Sequence, residues 1–498
     1  MHPTLYQVSA RLLLAELGER LGQPATLADV EDEQLDLWAS RGFDWIWLLG
    51  VWQTGPAGRQ VSQTSPQWQA GYAACLPDFT AADVCGSPFA VQAYAVHEDF
   101  GGAAALAQFR DRLKRRGLRL MLDFVPNHMA RDHRWVTEHP EYFIAGTEAD
   151  LQREGGNFVR VDGPNGPQVL AYGRDPYFPG WPDTLQLNYR HAGLREAMIG
   201  ELQSIATQCD GVRCDMAMLL LPDVIQRTWG ERSNPRDGSA AVDAPFWPEA
   251  IGRVRTQAAD FTFLSEVYWG LEGALQQQGF DYTYDKLLYD RLRDGEVEAV
   301  REHLQAGSEF QSRCARFLEN HDEPRAATVF ETDVHRAAAV AAFAVPGMRF
   351  FHDGQLDGRR SHASIHLSRR AAEGANPVLR DFYGQLLQCL RSPEFRYGAW
   401  RLLDRRPAWD GNETFHHFLT YQWRDEEGRR AWVVVNFGPS QGQCFVEVGD
   451  SNFRGKMLML RDQLSRAWYE RDGNDLADRG LFVDMPAWGY HIFDVTVT

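Results

Sequence analysis

Three short stretches of this chain place an acidic side chain just after an apolar run of strand length: GVRCDMA around Asp215, FLSEVYWG around Glu266 and ENHDEPR around Asp322. Two of them carry a basic neighbour close upstream, Arg213 before Asp215 and His321 before Asp322. One acid at a strand end means little. Three in order, delivered by successive strands to one rim, are the equipment of acid/base and covalent chemistry, in which a nucleophile and a proton donor meet at one reacting atom. Arg213 lies two residues from Asp215, so strand alternation puts both on one face and sends Cys214 to the other as packing. A guanidinium there would hold the carboxylate as a nucleophile needs to be held. Glu266, as an acid, needs the opposite treatment, a pKa raised by apolar neighbours, and Val267, Tyr268 and Trp269 stand next to it.

The elements that must position these acids follow a βα rhythm. Short apolar or β-branched runs occur at 5–8, 45–49, 118–124, 211–214, 261–264, 280–284, 316–318 and 348–351, separated by helical spacing such as 105–116 and 195–207. Strands alternating with helices predict a parallel sheet covered by helices, and eight repeats predict a (β/α)8 barrel of the TIM type. No Gly-rich phosphate fingerprint follows the first strand, which argues against an open dinucleotide-binding sheet. The barrel is expected over 1–129 and 189–395. Residues 130–188 emerge after the third strand, rich in Gly, Pro and aromatics (Tyr142, Phe143, Tyr177, Phe178, Trp181). That is too apolar for a linker and predicts an inserted subdomain. After residue 396 the pattern changes to FHHFLTYQW, RRAWVVVNF, QCFVEV, KMLMLR and WGYHIFDVTV, predicting a C-terminal antiparallel β-sandwich over 396–498.

Bulk composition narrows the partners. A net charge of −17 argues against nucleic acid, whose binding needs a basic surface. The cysteines (Cys75, Cys85, Cys209, Cys214, Cys314, Cys389, Cys444) are scattered, odd in number and without a CxxC pair, which predicts free thiols rather than disulfides or zinc. MHPTLYQVSARLLLAEL lacks a basic region before its apolar stretch, and no uncharged run approaches spanning length. The expectation is a cytoplasmic protein without a membrane partner. The aromatic fraction of 12%, with 16 Trp, suits stacking on sugar faces as well as a core.

With its acids in place, the chain resembles the α-amylase family of retaining glycoside hydrolases and transglycosylases (glycoside hydrolase family 13). DFVPNH, from Asp123 to His128, is similar to the family's third-strand motif, GVRCD to its fourth, LSEVYW to its fifth and the His321–Asp322 pair to its seventh. The resemblance implies Asp215 as nucleophile, Glu266 as acid/base and Asp322 as the residue that binds sugar hydroxyls and stabilises the transition state. It implies substrate contacts from Asp123, His128, Arg213, His321 and Arg325, and a stacking platform from Phe89 where the family commonly has Tyr. Asp123 has a structural reading beside the sugar-site one. The Lys-His pair that often follows the nucleophile is replaced by Ala217, Met218 and Leu219, which counts against an endo-amylase, while TLQLN (184–188) and HDEPR are similar to α-glucosidase-like members. The implied activity is hydrolysis, by double displacement, of maltooligosaccharides or short α-glucosides. The alternatives are a transglycosylase or disaccharide-converting enzyme acting on trehalose, sucrose or maltosyl donors and, remotely, a non-catalytic sugar-binding relative. No cofactor is implied for the chemistry. A structural calcium is left open, with Asn127 and Asp183 as its nearest candidate ligands.

Overall fold

The computed structural model describes residues 1–163 and 166–497. Pro164 and Asn165 of the expected inserted subdomain, and Thr498 at the end of the expected sandwich, lie outside the described residues. Eight parallel strands close into a barrel in sequential order: β1 (Thr4–Ser9), β2 (Trp45–Leu49), β3 (Arg119–Phe124), β4 (Gly211–Cys214), β5 (Thr262–Ser265), β6 (Tyr282–Tyr284), β7 (Cys314–Arg316) and β8 (Met348–His352). β2 and β4 have the expected bounds, and most of the others differ by one or two residues. β7 begins two residues before its expected place, because Arg316, a charge the hydrophobic reading put at a strand start, lies inside the strand. It is fully buried and held by Asp285, Gln311 and the carbonyl of Pro346.

The register fixes which side chains share a face. Arg213 on β4 pairs with Asp123 on β3 and with Leu264 on β5, one residue short of the strand ends. Asp215 and Glu266 therefore follow directly from the last residues of neighbouring strands, at the C-terminal rim. Asp322 arrives on the loop after β7.

Two excursions build walls above that rim. The segment after β3 opens and closes on one antiparallel ladder, His128–Ala130 against Thr184–Gln186, and carries the hairpin Phe158–Gly163/Gly166–Ala171 between. The second excursion, after β2, contains the helices Pro56–Thr64 and Pro66–Cys75, which apolar periodicity did not reveal.

Behind the barrel, a six-stranded antiparallel sheet packs against a three-stranded one. Alternation gives the larger sheet two buried faces. Trp432 and Val434 join Cys444, Val446 and Val483 of the small sheet, while Val433 and Val435 point into the barrel's core cluster. The short strands Ala399–Leu402, Arg405–Pro407 and Trp468–Asp472 lie at sheet edges, where polar residues are favoured, and so carried little apolar signal. Among the described residues, all seven cysteines are free thiols, and no helix is long and apolar enough to cross a membrane.

Candidate active site

Arg213 stands at the centre of the rim, fully buried. Its Nη1 donates to Asp215 Oδ1 at 2.6 Å, and its Nη2 lies 2.7 Å from Glu266 Oε2. One guanidinium thus touches both expected reacting carboxyl groups. The cation itself sits among the rings of Trp47, Phe89 and Tyr284, at 5.3, 5.3 and 5.7 Å from their centroids, so its position is over-determined by packing and charge together. Cys214, between the two, is buried on the opposite face as alternation requires.

Glu266 accepts from two further donors. The backbone N–H of Met216 reaches Oε2 at 2.7 Å, and the hydroxyl of Tyr268 reaches Oε1 at 2.8 Å. Burial pushes its carboxyl up to about 8, Arg213 pulls it down, and the charges of Asp215 and Asp322 raise it further. A carboxyl that keeps its proton at neutral pH is the form a general acid requires. The neighbours expected to supply the apolar setting divide. Val267 is fully buried and Tyr268 hydrogen-bonds the carboxyl, but Trp269 is 39% exposed and packs edge-on against Tyr177. Alternation could have found Tyr268, two residues along extended backbone from the acid. Nothing in the sequence marked Met216, whose φ of 42° puts a non-glycine residue in the left-handed region.

Asp322 is likewise raised, to about 6, by burial first, with Arg213 opposing and Asp215 reinforcing. Yet 40% of its side chain still meets the water of the cleft, so burial counts for less there than at Glu266. His321 accepts from Gln7 Nε2 at Nδ1, 2.7 Å away, which leaves the ring proton on Nε2, 3.1 Å from Asp322 Oδ2. Burial holds this ring, and that of His128, below the ordinary histidine pKa, so both are neutral donors. His321 Nε2 and Arg213 Nη2 are buried donors without a well-directed acceptor in the protein. Arg213 Nη2 is engaged by the charge of Glu266, whereas His321 borders the cleft, where its N–H can meet a polar ligand.

The carboxylates open into a cavity of about 300 Å³ whose lining includes Phe89, His128, Trp181, Asp215, Glu266 and Asp322. The structure thus brings together Phe89, His128, Arg213, His321 and the three acids. Two expected substrate contacts lie elsewhere. Asp123 is fully buried beneath the cavity, with Oδ1 accepting from Trp47 Nε1 at 2.9 Å and Oδ2 from the N–H of Gly50 at 2.7 Å. Both oxygens are committed, and the residue braces the end of β2. Arg325 is also fully buried, paired with Glu319 at 2.6 Å and bonded to the carbonyls of Asp353 and Ser361. Its charge is spent inside the protein, so it is a structural cation.

Of the two candidate calcium ligands, Asp183 is buried and lines the same cavity. Asn127 Nδ2 donates to Gln186 Oε1 and its Oδ1 accepts from Gln186 Nε2, so both ends of its amide are occupied. Among the described residues no group of three or more acidic, His or Cys side chains is arranged to hold a metal.

A closed parallel barrel with a carboxylate pair on one guanidinium, a third carboxylate beside them and a β-domain behind is a (β/α)8 barrel with a candidate acid/base site at its C-terminal rim. Comparison with known proteins agrees. The family model for the alpha amylase catalytic domain matches residues 87–165. The alpha-amylase MalA of Haloarcula japonica is 25% identical over 442 residues, covering 87% of this chain and 55% of the relative. The alpha-glucosidase of Culex pipiens is 24% identical over 336 residues, covering 61% and 53%. The chain therefore spans about half the length of these curated relatives. A noncanonic maltogenic alpha-amylase, AmyB of Thermotoga neapolitana, shares the fold with a TM-score of 0.69 at 17% identity, covering 100% of this chain and 99% of that one. The chain is thus similar to α-amylase-family proteins in part of its sequence and shares their fold over its whole length.

Proposed function

We propose that the protein is a retaining α-glucoside or α-glucan hydrolase acting on maltooligosaccharides or other short α-glucosides by double displacement. The observation that carries this reading is the single guanidinium of Arg213 in contact with both Asp215 and Glu266, which ties the two carboxyl groups close together. Retention needs such closeness, with carboxyls about 5–5.5 Å apart flanking the anomeric carbon, whereas inversion leaves room for a water.

In this reading Asp215 attacks the anomeric carbon while Glu266 gives its proton to the leaving oxygen. The glycosyl–Asp215 ester is then resolved by a water whose proton Glu266 takes, returning both groups to their starting states. Asp322 and the N–H of His321 hold hydroxyls of the reacting sugar, His128 binds the same unit, and Phe89 lies under it. The relatives named alpha-amylase and alpha-glucosidase support an α-glucoside substrate. Incubation of the purified chain with maltopentaose tests the reading: shorter maltooligosaccharides should appear with the wild type and not with Asp215→Asn. A wild type inert on maltopentaose, sucrose and trehalose alike would overturn it.

A further inference from the structure

The three-stranded C-terminal sheet carries a cavity of about 460 Å³ that shares no lining residue with the catalytic cleft. We infer that it is a second carbohydrate site, which holds a neutral glucan chain on the outer face of this sheet. That the ligand is a neutral sugar rests on the cavity alone, and that the sugar is a glucan rests on the proposed function.

The strand register builds the apolar part of the site. Arg406 lies opposite Phe445, and Phe445 opposite Phe482, so one row of side chains crosses all three strands. Cys444, Val446 and Val483 belong to the sandwich core, and alternation turns this row outward. Phe445 is buried within it, with the guanidinium groups of Arg406 and Arg479 over its ring, 4.7 and 5.1 Å from the centroid. Phe482 and Trp409, which also line the cavity, stay 43% and 56% exposed. Open aromatic faces around a hollow are binding surface, not core.

The polar groups decide what packs there. Arg471 and Arg479 line the cavity together with Asp472 and Asp475, two charges of each sign. Such a balance selects neither an anion nor a cation. Arg471, Asp475 and Arg479 have no ion pair among the described residues, whereas Asp478, one residue before Arg479, is paired with Arg454. They leave guanidinium donors and a carboxylate acceptor for a ligand. An uncharged ligand that meets flat apolar faces, donors and acceptors together is a pyranose. Its C–H faces pack on aromatic rings, and each hydroxyl both donates and accepts. The volume lies within the range of small-molecule sites.

Electrophoresis of the Asp215→Asn protein through native gels containing soluble amylopectin reads this binding without turnover. The protein should be retarded, and adding Trp409→Ala or Phe482→Ala should lower the apparent affinity at least fivefold. In the otherwise wild-type chain, Trp409→Ala should leave the rate on maltopentaose unchanged. Three results would each overturn the inference: no retardation, retardation that neither substitution alters, or a maltopentaose rate that falls with Trp409→Ala. A wild type inert on maltopentaose, with retardation that still depends on Trp409, would overturn the proposed function and leave the sugar site standing.

Discussion

The backbone N–H of Met216 donates to Glu266 Oε2 at 2.7 Å, so the residue after the expected nucleophile is tied directly to the expected acid. That bond is made from a left-handed backbone conformation, with φ 42° and ψ 44°, costly for a residue with a side chain. Together with Arg213, it makes the two carboxyl groups one mechanical unit: neither can shift without moving a group that the other one holds.

Glu266→Gln should separate leaving groups. On a maltooligosaccharide, whose leaving alkoxide needs a proton, kcat/KM should fall by roughly 10²–10⁴. On a nitrophenyl glycoside, which leaves unaided, the fall should be far smaller. Equal losses on the two, measured side by side, would mean that Glu266 is not the acid.

The raised carboxyl of Glu266 has a consequence for stability. Between its ordinary value of 4.5 and about 8, the folded protein keeps a proton that the unfolded chain has released. Where the folded state binds more protons, stability falls as pH rises, so this group weakens the fold progressively through that window. Glu266→Gln has no such proton. The difference in Tm between this variant and the wild type should therefore move in the variant's favour from pH 5 to pH 8, read by thermal unfolding. A difference that stays constant over that range would contradict the raised carboxyl.

Arg325 was expected at the substrate and is found inside the protein, against Glu319. Arg325→Ala leaves a fully buried carboxylate without its partner, a change that costs about 3–5 kcal/mol. Chemical denaturation should show that loss. A variant of wild-type stability with a raised KM would restore Arg325 as a substrate contact.

The contrast between Asp215 and Arg325 shows what was legible. Asp215, Glu266 and the barrel strands that deliver them announce themselves locally, since an apolar run and the residue at its end are adjacent in sequence. Arg325 also sits in a motif, HDEPR, but its role is decided by Glu319 and by carbonyls 28 and 36 residues further on, which no local pattern reveals. The same holds for Asp123, whose oxygens are claimed by Trp47 and Gly50 on another strand end. Trp68 and His366 meet across 298 positions, so their contact could not be foreseen either. The edge strands of the C-terminal sheets escaped because solvent-facing edges carry charge in place of alternation.

The most direct test of the central claim is the stereochemistry of the first product. Proton NMR of the purified protein, mixed with a maltooligosaccharide, sucrose and trehalose, reads the anomer before mutarotation scrambles it. Asp215 and Glu266, held on one guanidinium, predict the α-anomer. A β-anomer would contradict double displacement, and with it the role of Asp215 as nucleophile.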